Sequence, residues 1–421
     1  MKKTDCPISK ITPDDGYQYF FGYYDRCPWN KAEDKILAHR ISFLDHFPEN
    51  ETAEVGYIDL LTNTFVKIDA TSAWNWQQGS QLQWITHDGK EKIIYNQRIN
   101  NTIKGCMVDA DTLEKTIIDS SIYTVSRDGT KILTLNYGRL YDTKIDYGIF
   151  GIIDTNKNVN TPDNDGIFLY DLTTQTYKLI VSIKTLSETS KVYIGDKKQY
   201  VNHLMFNPSS NRFCFLHRYE RNDRITQSRL FTSDLEGKDI RLLFEGMISH
   251  YDWKDNETIL AWAGKRKLIG NGTPKKFSLT TALNKTLKPI YYFLGKPRIL
   301  MQKIMRDSFY LIKDMESANN SERIGFGIMY CDGHCTYSLN KKWILTDGYP
   351  DLDNKQPLFL FNTANNDFVE TGRFYTPKKL DKEIRVDLHP RSNHEGNKIL
   401  IDSAMNGSRS MYIIDVSEIT K

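Results

Sequence analysis

One pattern recurs along this chain and limits its fold more than anything else in the sequence: a short strand, a polar turn, a second apolar strand, a loop, then a third strand closed by Asp and a turn. Phe206 to His217 followed by Ser228 to Gly237 shows it, and so does Tyr337 to Thr346 followed by Leu358 to Thr363. The same order returns at Val125 to Leu133 with Gly166 to Leu172, and at Asn397 to Ile401 with Ser410 to Asp415. Less regular copies start near Trp29, Trp84 and Trp253. Repeats of this size bury their sheet faces only against neighbouring repeats, which makes the chain an array closed into a ring. The expectation is an all-β fold, a seven-bladed β-propeller formed by residues 1–421 as one domain. Six and eight stay open as counts. The last blade lacks a strand, and the N-terminal stretch around Tyr17 to Tyr24 is expected to supply it.

Composition agrees with this class. Aromatic residues make up 12% of the chain, with 24 Tyr and 20 Phe, a usage suited to half-buried pleated surfaces. The N-terminal residues MKKTDCPISKITPDDGYQYF hold no apolar run of signal-peptide length, and no stretch of membrane-spanning length occurs anywhere. The six cysteines, at 6, 27, 106, 214, 331 and 335, lack the spacing of a disulfide scaffold. A cytoplasmic protein with reduced thiols is expected.

Aligned on the residue before each first turn, the repeats place histidines at one equivalent position: His203, His250, His334 and His389. First strands of a propeller line its central channel, so the four imidazoles are expected to converge there. Converging imidazoles suit a divalent transition metal, zinc or manganese, and Cys335 adds a soft donor. The competing reading is a set of buried histidines bonded to neighbouring backbone. His39, His46, His87, His217 and His394 have no repeat equivalents and are assigned to packing or to the surface.

The motifs Phe21-Gly-Tyr-Tyr-Asp25, Trp76-Gln-Gln-Gly79, Leu82-Gln-Trp84, Val201-Asn-His-Leu-Met-Phe206, Asp332-Gly-His334 and Asp387-Leu-His-Pro390 resemble those of the β-propeller polysaccharide lyases. The likeness is to the ulvan lyase type, and more distantly to oligogalacturonate lyase and TolB-like propellers. It implies Tyr123 as acid and base with Arg139 sixteen residues on. Gln78, with Asn96 or Arg98, then stands where the ulvan type has histidines that bind the uronate. In β-elimination a base removes the proton at C5 of a uronic acid and the group at C4 leaves, so a phenol serving as base needs a nearby cation to favour the phenolate.

Charge is unevenly spread. From Gly264 to Arg306 there are eleven Lys or Arg and no Asp or Glu, whereas the whole chain carries only +3. This basic, partly helical insert in blade five is expected to contact an acidic glycan or, peripherally, the inner membrane face; a solvated cap on one blade is the plainer reading. No nucleic-acid motif accompanies it. Two functions follow: lyase-like β-elimination on a uronate-containing poly- or oligosaccharide, or a non-catalytic propeller that binds glycans or assists surface-polysaccharide assembly.

Overall fold

The computed structural model describes residues 2–190, 194, 196–220, 226–264, 307–317 and 319–421. Its architecture is a succession of four-stranded antiparallel units. The first consists of Gln18–Phe20, Lys35–Ile41, Ala53–Asp59 and Thr64–Thr71; the second of Gln83–His87, Lys90–Ile99, Thr102–Asp109 and Lys115–Ile118. Thr124–Val125, Lys131–Leu135, Gly166–Asp171 and Thr176–Ser182 form the third.

The next sheet is continuous over seven strands because Arg241–Trp253 belongs to two units. Its first half pairs with Thr226–Asp234 and its second with Thr258–Gly264. Gln199–Phe206 opens the fourth unit, and Ser308–Lys313 with Ser321–Ile324 completes the fifth. Thr336–Tyr337, Trp343–Asp347, Lys355–Asn362 and Phe368–Tyr375 build the sixth; Arg391–Ser392, Lys398–Ser403 and Ser410–Asp415 build the seventh. Dividing Arg241–Trp253 in this way gives seven four-stranded units among the described residues.

The strand that completes the seventh unit is Ile8–Lys10, antiparallel to Ser410–Asp415. Tyr17 to Tyr24 was the expected closing stretch, but Gln18–Phe20 opens the first unit instead, and Tyr23 and Tyr24 beyond it pack against His203, His250, His334 and His389. Lys2–Lys3 adds a parallel fifth strand to the sixth unit.

Period-two alternation explains how the units stack. In Arg212–Glu220, Phe213 and Phe215 pack with the third unit's Leu133 and Val181, while Cys214 and Leu216 pack with the fifth unit's Ile259 and Ala261. In Lys355–Asn362, Phe359 and Phe361 turn to Trp262 and Phe309, and Leu358 and Leu360 to Ile399 and Ile401. The cycle closes where the seventh unit's Leu400 and Met411 meet Val55 and Ile58 of the first.

The recurring polar residues are turn devices. Asp59, Asp109 and Asp171 each accept backbone N–H bonds from the residues two and three further on, closing the turn before the fourth strand. Asn30, Asn207 and Asn393 do the same work after first strands, each accepting from residues four and five ahead. The basic stretch falls between Thr258–Gly264 and Ser308–Lys313, and its residues 265–306 lie outside the described residues. All six cysteines are free. No helix among the described residues is long and apolar enough to cross a membrane.

Candidate metal centre in the channel

Bulges aim the histidines. Pairing of Gln199–Phe206 with its neighbour shifts register between Asn202 and Met205, around His203, and pairing of Arg241–Trp253 with Thr258–Gly264 shifts between Ile248 and Tyr251, around His250. An extra residue in one strand bends it and turns a side chain out of the ladder. His203 and His389 also have φ of +55° and +44°, a left-handed conformation uncommon for residues other than glycine.

The four buried rings gather around Tyr23 and Tyr24. His334 lies between His250 and His389, with ring centroids 4.3 Å from each. His203 stands apart, stacked on Tyr23 at 5.3 Å; Tyr23 in turn meets His389 at 5.1 Å. Arg391 holds this segment in the channel by donating to the carbonyls of Gly22 and Tyr23. The Tyr24 hydroxyl donates to the carbonyl of Tyr251 and accepts from its N–H.

Three groups can share an ion. His334, Asp387 and His389 are buried, and one ligand atom from each lies within 4.8 Å of the others. His334 Nδ1 is 2.9 Å from Asp347, and among the described residues neither its Nε2 nor either ring nitrogen of His389 has a hydrogen-bond partner. Buried polar atoms without partners are rare, and two imidazoles with a carboxylate suit a divalent transition metal. A carboxylate behind a ligating histidine is the usual outer support of such a site. Burial alone would raise the Asp387 carboxyl, but Arg385 at 2.7 Å and His334 outweigh it and hold it below the usual range. Burial works against charge on His334 too, yet Asp347 prevails and raises it.

His250 has a different character. Burial first and His334 second lower its pKa, against the opposing effect of Asp332. Asp332 lies 3.0 Å from its Nδ1 and accepts from Ser249 Oγ at 2.6 Å. A neutral imidazole with its Nδ1 proton held by a carboxylate presents a basic Nε2. His203 is lowered by burial, and its N–H donates to the Tyr123 hydroxyl at 2.9 Å.

Of the four histidines expected to hold a metal, the structure therefore brings two, His334 and His389, to a common ligand position and supplies Asp387 as the third group. Cys335 is buried in an apolar cluster with Trp262 and Phe309, and burial raises its thiol. Tyr123 is fully buried, and burial raises its phenol pKa; the hydroxyl accepts from Gln78 Nε2 as well as from His203. The cation beside Tyr123 is Arg26, whose Nη2 donates to the Tyr123 carbonyl.

Arg139 is not brought to that phenol. Its guanidinium donates to the carbonyls of Gln199, Asn156, Val159 and Asn160 and to Asp154, so its donors are spent on clasping the 154–160 loop. Asn96 bonds both the N–H and the carbonyl of Ile122. Arg98 donates to the carbonyls of Phe150 and Ser72. Gln78, Asn96 and Arg98 thus serve the protein's own groups and do not form a carboxylate-binding set. Asp387, Asp347 and Asp332 escaped sequence reasoning, although Asp332 and Asp387 each stand two residues before a channel histidine.

No family model and no curated protein sequence matches the chain. Among solved structures, oligogalacturonate lyase from Vibrio parahaemolyticus is similar with a TM-score of 0.63 and 14% identity, over 99% of this chain and 96% of that one. An oligogalacturonate lyase in complex with manganese gives a TM-score of 0.59 and 13% identity, over 97% and 93%. The chain is a β-propeller. At these identities the likeness extends to the fold, and what the propeller does must be argued from its channel.

Proposed function

We propose that this propeller is a metal-dependent lyase that cleaves uronate-containing oligosaccharides by β-elimination. The observation that carries this reading is the buried group His334, Asp387 and His389, with unpartnered ring nitrogens, directly beside a neutral His250. The manganese named with one oligogalacturonate lyase of the same fold supports a divalent ion here, with zinc as the other candidate. Such an ion, when bound, supplies Lewis-acid neutralisation of the substrate carboxylate. His250 Nε2 takes the C5 proton while Asp332 keeps the ring oriented. The C5–H pair becomes the C4–C5 double bond, the C4–O bond breaks, and the departing oxygen takes a proton from water while His250 returns the one it accepted to solvent. From its charge alone, the stretch 264–306 is assigned to holding an acidic glycan or an anionic membrane face near the propeller.

Mass spectrometry of digests from a panel of uronate-containing oligosaccharides tests the reaction class. Elimination yields one fragment lighter by a water than its hydrolytic counterpart. Hydrolytic fragments would contradict it, and retention of the oligosaccharides without turnover would move the protein to the binding class.

A further inference from the structure

The ends of first strands and the turns after them border an open cleft of about 380 Å³, within the size range of small-molecule sites, and none of the clustered histidines lines it. Its wall holds two carboxylates, and both are engaged: Asp25 lies 3.0 Å from Arg26 Nη1, and Glu91 accepts the backbone N–H of Lys31 at 2.9 Å. The wall's exposed cations are not engaged. Neither the Lys31 ammonium nor the Arg127 guanidinium has a carboxylate partner among the described residues. Among the described residues, two buried donors of the same wall, Arg26 Nε and Trp29 Nε1, have no acceptor, and Asp25 Oδ1 has no hydrogen bond beyond its ion pair with Arg26. The wall's three cations, Arg26, Lys31 and Arg127, thus outnumber its two carboxylates. Phe206 and the half-buried ring of Trp84, held by its Nε1 donating to the Pro28 carbonyl at 2.9 Å, supply an apolar side.

We infer that this cleft is a second binding site, for a small organic carboxylate whose apolar body lies against Trp84 and Phe206 and whose charge is taken by Arg127 and Lys31. The inference does not depend on the chemistry proposed for the histidine cluster. Fluorine NMR of para-fluorobenzoate with the full chain tests it, in the presence of a chelator so that no ion at His334 and His389 can hold the probe. Saturable line broadening is expected. The uncharged para-fluorobenzyl alcohol should bind about tenfold more weakly, as should the acid to the double variant Lys31→Ala/Arg127→Ala, since one charge-assisted hydrogen bond is worth roughly that factor. Both side chains are exposed, so the variant keeps the fold. Equal affinity for acid and alcohol, unchanged affinity in the double variant, or no broadening at all would overturn the assignment.

Discussion

His334 and His389 meet edge to face, their ring centroids 4.3 Å apart and their planes at 88°, although 54 positions of sequence separate them. With Asp387 beside them, this contact defines the proposed metal centre. The purified protein should carry a divalent ion by elemental analysis, and His389→Ala should lose it while remaining folded. Asp347→Asn should weaken manganese affinity by about 10–100-fold, because Asp347 only orients His334. Undiminished metal content in His389→Ala would place the ion elsewhere.

Tyr123 is assigned a structural task. Its hydroxyl accepts two N–H bonds, from Gln78 and His203. Tyr123→Phe leaves both donors buried without an acceptor and should cost about 1–3 kcal/mol in denaturant unfolding. Elimination activity should persist at temperatures where the variant is folded. Loss of turnover with unchanged stability would return Tyr123 to the chemistry.

Arg139→Ala should also destabilise the fold. Removing the guanidinium takes the donors from the carbonyls of Gln199, Asn156, Val159 and Asn160, while Asp154 keeps Lys198 at 2.9 Å and Asn136, a loss of about 1–3 kcal/mol. A full-length variant with unaltered unfolding midpoint would contradict the clasp.

His39 gives a pH signature away from the metal centre. Burial lowers its pKa from 6.5 to about 4, and Ser80 hydrogen-bonds its Nε2. The unfolded chain takes up a proton below pH 6.5 that the folded protein refuses until about pH 4. This contribution to stability is thus complete above pH 6.5 and falls by about 1.4 kcal/mol per pH unit within that window. Denaturation of His39→Gln should show a lower stability at pH 7 and a flatter decline on acidification; parallel curves for both proteins would refute the assignment.

The sequence showed the fold through local devices that repeat. The turn residues Asp59, Asp109 and Asp171 and the alternation in Lys355–Asn362 are visible as pattern because each acts on its own neighbours. The channel was legible in part: His203, His250, His334 and His389 share a repeat position, and the structure gathers them. What could not be read is which partner each takes. Asp332 and Asp387 occupy the same place in two Asp-x-His motifs, yet Asp332 turns to His250 and Asp387 to Arg385. The Tyr123 to Arg139 spacing misled for a related reason. Asn136 caps the helix Tyr137–Thr143, and Arg139, in its first turn, bonds the 154–160 loop. The closing strand was displaced because Ile8–Lys10 is too short and too exposed to announce itself by hydrophobic pattern.

Metal-dependent elimination at the histidine cluster is the central claim, and restoring one ion to stripped protein tests it most directly. Protein depleted with a chelator should leave an oligouronate untouched. Added manganese should then produce the ultraviolet absorbance of the new C4–C5 double bond, and His250→Gln should bind the ion but give little or none of that signal. Absorbance that rises equally without metal, or no absorbance from fully loaded wild-type protein on any oligouronate, would contradict the account.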